Sequence, residues 1–264
     1  MRISVRHALY LLLFGCLPAM AGCGKTPTQL KEGGDISHSD MDKLPVRAVT
    51  PIQEKDNHLQ NPGFENGTQA WQWLDWSKGW AAFQHTTDHA YEGKGALHLP
   101  IRSDERPTIV WGAVQEITLE NDIPECVEGY YYVDKWKNGD WKQYLQFVII
   151  DLSHSLGEKM GQAQLRYIVS GSVTPPLHIS NAQYLFIETT RRETPVLGQW
   201  TKFSVNPRAD FEKNWHYTPT KGAKLRLLFE ARYDHHQKQS EPALADVYYD
   251  NLYMGPKTTT RCAE

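Results

Sequence analysis

From about residue 96 to residue 253, hydrophobic and polar positions alternate in short runs and do not recur at helical spacing. The runs 96–99, 108–117, 130–136, 141–151, 165–169, 184–190, 200–205, 224–233 and 247–253 each read as a β-strand. The clearest sets Leu225, Leu227, Phe229 and Ala231 on one face and Lys224, Arg226, Glu230 and Arg232 on the other, which predicts a core face and a wet face. Gly, Pro, Asn and Asp punctuate the runs, and many short strands with few helical periods predict an all-β sandwich. Between 130–136 and 141–150 stands Lys137-Asn138-Gly139-Asp140. Asn-Gly supplies the positive φ of a tight turn, so a β-hairpin is expected there, with Trp136 and Trp141 close together at its turn end. Alternation along its first strand places Tyr130, Tyr132, Asp134 and Trp136 on one face, with Gln146 across the hairpin. Pro175-Pro176 and the glycines around it mark 152–198 as an excursion with two strands of its own.

The ends of the chain carry a different pattern. Arg2 and Arg6 precede an uncharged, Leu-rich stretch of 15 residues, Ala8 to Gly22, which has the layout of a secretory signal and is too short to favour a membrane span. It ends in Met20-Ala21-Gly22-Cys23, which resembles the lipobox of bacterial lipoproteins. That resemblance implies cleavage after residue 22, lipidation of Cys23 and, with Gly24 and no Asp after the cysteine, sorting to the outer membrane; a plain signal peptide is the alternative. Residues 24–58 contain no aromatic residue and are rich in Pro, Gly and charge, a composition that buries too little apolar area to offset ordering. Residues 23–56 are therefore expected to form a flexible tether, with a span on the order of 30 Å. All nine Trp and twelve of the thirteen Tyr lie beyond it, between Asn57 and Met254. Residues 257–264 read as a C-terminal tail.

Charge and cysteine content narrow the partners. Without residues 1–22 the chain holds 26 basic against 31 acidic residues, so it has no general attraction for nucleic acid or anionic lipid. Of the four cysteines, Cys16 leaves with the leader and Cys23 is committed to lipid. Cys126 and Cys262 remain, and in an oxidising compartment a disulfide between them is predicted, two free thiols being the alternative.

His58-Leu59-Gln60-Asn61-Pro62-Gly63-Phe64-Glu65-Asn66-Gly67, Trp71 and Tyr91-Glu92-Gly93-Lys94-Gly95-Ala96-Leu97 resemble the opening of carbohydrate-binding modules with the galactose-binding-like jelly roll. Gly198-Gln199-Trp200-Thr201-Lys202-Phe203 and Asp246-Val247-Tyr248-Tyr249-Asp250-Asn251-Leu252 resemble its close. The resemblance covers both ends of a head at 57–256 and is loose over the insertion at 152–198. It implies a structural calcium ion held by Glu65, Asp250 and the carbonyl of Lys94, which suits a cation that takes six to eight hard oxygens. It also assigns Trp71 and Trp200 to packing, and it implies polysaccharide as the partner; the sequence names no protein partner.

Sugar recognition combines aromatic faces with a few placed polar groups. Tyr132, Trp136, Trp141, Gln146, Glu230 and Arg232 form the expected cleft. Neither a Gly-x-Ser-x-Gly elbow nor a His-Glu-x-x-His helix occurs. His85 and His89 lack a shared helical face, and Asp151 with His154 is a pair whose separation the sequence does not fix. Non-catalytic carbohydrate binding by a lipid-anchored envelope protein is therefore the expectation. A jelly-roll polysaccharide lyase or glycoside hydrolase, and a structural lipoprotein that binds a protein partner, are the alternatives.

Overall fold

The computed structural model describes residues 31–32, 54–75, 77–139, 142–157, 160–173, 180–235 and 241–263. Cys23, Trp141 and most of the expected leader and tether lie outside the described residues. The described chain runs through β1 (Lys31–Glu32), β2 (Gln72–Trp73), β3 (Trp80–Ala81), β4 (Gln84–Thr86), β5 (Ala96–Arg102), β6 (Ile109–Thr118) and β7 (Cys126–Lys137). It continues through β8 (Lys142–Ser155), β9 (Gln162–Gly171), β10 (Ala182–Phe186), β11 (Trp200–Val205), the helix α1 (Pro207–Trp215), β12 (Lys224–Asp234) and β13 (Leu244–Gly255). The strands form two sheets. The larger has the order β1-β2-β6-β12-β8-β9-β10, with β3 also on β6, and the smaller has the order β11-β7-β13-β5-β4. The protein is an all-β sandwich with one helix among the described residues, as the alternation predicts.

Period two explains the core. Leu225, Leu227, Phe229 and Ala231 of β12, Ile109, Trp111 and Ala113 of β6, and Leu145, Phe147 and Ile149 of β8 all point inward from the large sheet. Leu97, Leu99 and Ile101 of β5, Val127, Tyr131 and Val133 of β7, and Val247 and Tyr249 of β13 meet them from the small sheet. The segment 152–198 supplies β9 and β10, which extend the large sheet, and Ala163, Leu165, Tyr167 and Val169 of β9 enter the same core. Trp71 is fully buried, stacks on Phe64 and donates its indole N–H to the carbonyl of Asn61 at 3.0 Å. Cys126 and Cys262 form a disulfide, which ties the tail to the first residue of β7. Beside it, Arg261 pairs with Glu54 and with the buried Glu128.

The expected hairpin is not formed. β7 lies in the small sheet between β11 and β13, and β8 lies in the large sheet between β12 and β9, so the two strands belong to different layers. Neither Asn138 nor Gly139 has a positive φ. The glycine serves a close approach instead: a Cβ there would sit 3.1 Å from both Ala243 Cβ and the carbonyl oxygen of Glu241. Alternation also breaks within β7. Val133 faces Val247 and Lys135 faces Asp246, which leaves Asp134 as the extra residue of a β-bulge. Beyond the bulge the faces exchange, so Trp136 packs against the core and not beside Tyr132 on the outer face.

Candidate functional site: the outer face of the large sheet

Three expected ligand-binding residues meet on the outer face of the large sheet. Register places Gln146 opposite Glu230, and Arg232 opposite Tyr144. Even-numbered positions of β8 and β12 point away from the core, yet Gln146 and Glu230 are 0% and 2% exposed, so this stretch of the outer face is not the wet surface that simple alternation predicts. Gln146 Nε2 donates to Glu230 Oε2 at 2.5 Å, and Arg232 Nη1 reaches the same oxygen at 3.4 Å. Arg232 Nη2 donates to Asp234 Oδ1 at 2.6 Å, and the Tyr144 hydroxyl donates to Asp234 Oδ2 at 2.6 Å. The guanidinium also lies 5.5 Å from the centre of the Tyr144 ring.

These contacts fix the charges. Burial works against the Arg232 charge, but Tyr144, Asp234 and Glu230 outweigh it and raise the pKa of the guanidinium above its ordinary value. Burial alone would raise the Asp234 carboxyl, yet Arg232 and Tyr144 bring it below its ordinary value. A carboxylate held ionised in this way is a hydrogen-bond acceptor and a poor proton donor. Within this row, Gln146 Oε1 and Arg232 Nε are buried with no hydrogen-bond partner, two of six such side-chain atoms among the described residues. Leaving them unpaired is costly, and the accessible edge of the row is Arg232 with Asp234, whose side chains are 14% and 15% exposed.

Apolar walls flank this polar row. Leu74, Val114, Val148 and Leu228 form a separate cluster on the same outer face, with Trp80 and Ile150 packed on it. Gly112 faces Glu230 across β6 and β12, and the Trp80 ring lies so close to it that an added Cβ would stand 2.6 Å from Trp80 Cζ3. At the β9–β10 edge, Arg166 sits 5.6 Å from the centre of the Tyr184 ring. Trp80, Tyr144, Asp234 and Tyr184 were not among the expected site residues. The available signal was the outward parity of Tyr144 on the strand expected at 141–151; Asp234 stands one residue past the strand expected at 224–233, and β12 extends to include it. Trp80 stands on a strand of two residues, too short for any periodicity.

The remaining expectations divide. Tyr132 lies on the outer face of the small sheet and Trp136 at the rim of the core, so neither joins Gln146, Glu230 and Arg232. Glu65, Lys94 and Asp250 do converge. Glu65 Oε1 accepts from the amides of Lys94 and Gly95 at 2.7 and 2.8 Å, and Asp250 Oδ2 accepts from those of Tyr91 and Glu92 at 2.7 and 3.0 Å. It is the amide of Lys94 that meets Glu65. Asp250 is fully buried, and its pKa is pushed up to about 7, chiefly by burial, against the pull of three backbone amides and with a further upward push from Glu65. Neither carboxylate forms a salt bridge among the described residues. Two neighbouring all-oxygen donors without a counter-charge fit a hard divalent cation. Asp151 accepts from the Tyr217 hydroxyl at 3.2 Å while the His154 ring lies tilted 4.1 Å from that ring, so both contact a shared tyrosine. Trp200, assigned to packing, is half-buried and packs on Tyr132 and Tyr91 on the outer face of the small sheet.

No protein-family description matches the chain, and no curated protein is similar to it. Solved structures to which the chain is similar include carbohydrate-binding modules of several families. A xylan-binding domain of family CBM22 is 13% identical, with 76% of this chain and 96% of that one covered and a TM-score of 0.40. A CBM28 module specific for non-crystalline cellulose is 15% identical, with 76% and 97% covered and a TM-score of 0.39. The enzymatically active domain of tailspike protein 4 of bacteriophage CBA120 is 8% identical, with 75% and 21% covered and a TM-score of 0.42. The β-sandwich itself is read from the chain's own two sheets.

Proposed function

We propose that this protein binds polysaccharide without catalysis, on the outer face of the large sheet. The observation that carries this reading is the hydrogen-bonded polar row of Gln146, Glu230, Arg232 and Asp234, open at its Arg232 and Asp234 edge, on the sheet face that also carries the Trp80 ring. A sugar hydroxyl can accept from a guanidinium and donate to a carboxylate, and a pyranose presents C–H groups to an aromatic face, so a glycan suits this face. Hydrolysis of a glycosidic bond needs a proton donor, and Asp234, held ionised by Arg232 and Tyr144, is a poor one.

Two further elements belong to the proposal. The head is carried on a lipid anchor at Cys23 through the tether, in the cell envelope at the outer membrane. A calcium ion is held by Glu65 and Asp250, with the Lys94 carbonyl as a further oxygen; it would neutralise the two carboxylates and stiffen the 91–95 segment they grip. Binding of soluble uncharged polysaccharides to the full chain, compared with its Glu230→Gln variant, tests the function. Metabolic labelling with a palmitate analogue, compared with Cys23→Ser, tests the anchor.

A further inference from the structure

On the other side of the sandwich, the small sheet carries a row of rings that crosses its strands. Trp200 of β11 is the register partner of Tyr132 of β7, Tyr132 of Tyr248 of β13, Tyr248 of His98 of β5, and His98 of Gln84 of β4. One lateral row therefore crosses all five strands, about 19 Å at the usual strand spacing. Ring centroids along it are 5.5, 5.9 and 4.6 Å apart. The loop before β5 adds two more rings. Tyr91 stacks on Tyr130 at 3.7 Å while exposing 42% of its own surface, and His89 lies 5.0 Å from Tyr132 and 4.5 Å from Tyr248.

These side chains point away from the sandwich core; Tyr248 is 7% exposed beside His89 and His98, while Trp200, Tyr132, His89 and His98 are partly exposed and Tyr91 is exposed, so the row presents a ring-rich outer surface around one covered tyrosine. Most charges beside the row are paired within the protein: Asp246 with Arg102, Lys135 and His98, Asp134 with Lys135, and Glu128 with Lys202. The exposed Asp88 carboxylate, near Tyr248, forms no ion pair among the described residues. What remains for a ligand is aromatic rings, tyrosine hydroxyls, the Gln84 amide and that one carboxylate, with no lysine or arginine in the row to draw an acidic polymer, a chemistry that suits an uncharged sugar chain. The length of the row calls for an extended ligand and not a single sugar.

We propose that the outer face of the small sheet is a second contact surface for an uncharged polysaccharide chain lying across the strands, so that the head is bivalent and bridges two glycan segments. This rests on the reading of the protein as a polysaccharide binder and adds a site opposite the first. Two sites that cannot reach one chain together act by bridging, which light scattering detects and simple affinity does not.

The test mixes the full chain with soluble xylan, mixed-linkage β-glucan and glucomannan, and measures glycan segments bound per chain together with light scattering. Wild type is expected to bind two segments and to scatter. The Trp200→Ala, Tyr132→Ala double variant and the single Tyr91→Ala variant should each bind one segment, with scattering reduced at least tenfold. Tyr91→Ala alters an exposed ring and decides the matter should the double variant unfold. Glu230→Gln should also lose bridging while the small-sheet site persists. One segment per wild-type chain, removed entirely by Glu230→Gln, overturns the second site and leaves the first intact. Binding to none of the three polysaccharides overturns both.

Discussion

Asp250 and Glu65 hold one short loop from its two ends: Asp250 takes the amides of Tyr91 and Glu92, and Glu65 those of Lys94 and Gly95. A Cβ built on Gly63 would lie 3.5 Å from Asp250 Oδ1 and 3.9 Å from Glu65 Cγ, so the carboxylates flank a common point. The chain thereby joins its first loop, the approach to β5 and its last strand at one place.

The pairing sets a pH dependence. The folded state raises Asp250 from an ordinary 3.8 to about 7, so its contribution to stability is full below pH 3.8 and is lost as pH rises through about 7. In chelator, the melting temperature should therefore fall between these values, by an amount on the order of a few kcal/mol in stability. Asp250→Asn should flatten that slope. Calcium at pH 7 should raise the melting temperature of the wild type and not of the variant; equal melting with calcium and with chelator would remove the ion from the account.

Trp136 packs against the core on the far side of the bulge at Asp134. Trp136→Ala should cost about 1–3 kcal/mol of stability in a denaturant titration and leave glycan affinity unchanged. Had the two strands formed a hairpin, the opposite pattern would follow.

Gly112 leaves room for the Trp80 ring. Gly112→Ala should displace that ring, lower glycan affinity several-fold and shift the emission of the indole, with a loss of stability of about 1–3 kcal/mol. Unchanged binding would place Trp80 outside the ligand surface.

The disulfide between Cys126 and Cys262 holds the tail, through which Arg261 reaches Glu54 and Glu128. Cys262→Ser should destabilise the head by roughly 2–4 kcal/mol, read as a lower denaturant midpoint. No change in midpoint would show that the tail contributes little.

The strand at 224–233 was legible because its alternation is local and covers a full face; it put Glu230 and Arg232 on the outer face but not their burial there. The convergence of Glu65 and Asp250 followed from motifs at the two ends of the head. The partners of β7 and β8 were not legible, because β7 pairs with β11 and β13 and β8 with β12 and β9, mostly far along the chain, while Asn138-Gly139 signalled only a turn. A bulge of one residue at Asp134 is equally silent in the pattern, yet it reverses the side on which Trp136 emerges. Helix α1 did carry a signal, since Asn206 caps Ala209 and Pro207 opens the first turn, but its nine residues show little apolar periodicity.

Equilibrium titration of the full chain with soluble xylan, mixed-linkage β-glucan and glucomannan, repeated on Glu230→Gln and Trp80→Ala, tests the large-sheet site most directly. At least one polysaccharide should bind to the wild type, and each variant should weaken binding at that site about tenfold or more, about 1.4 kcal/mol, while melting close to the wild type. Absence of binding to all three, or full affinity at that site in correctly folded variants, would contradict the assignment of this face as the sugar-binding surface.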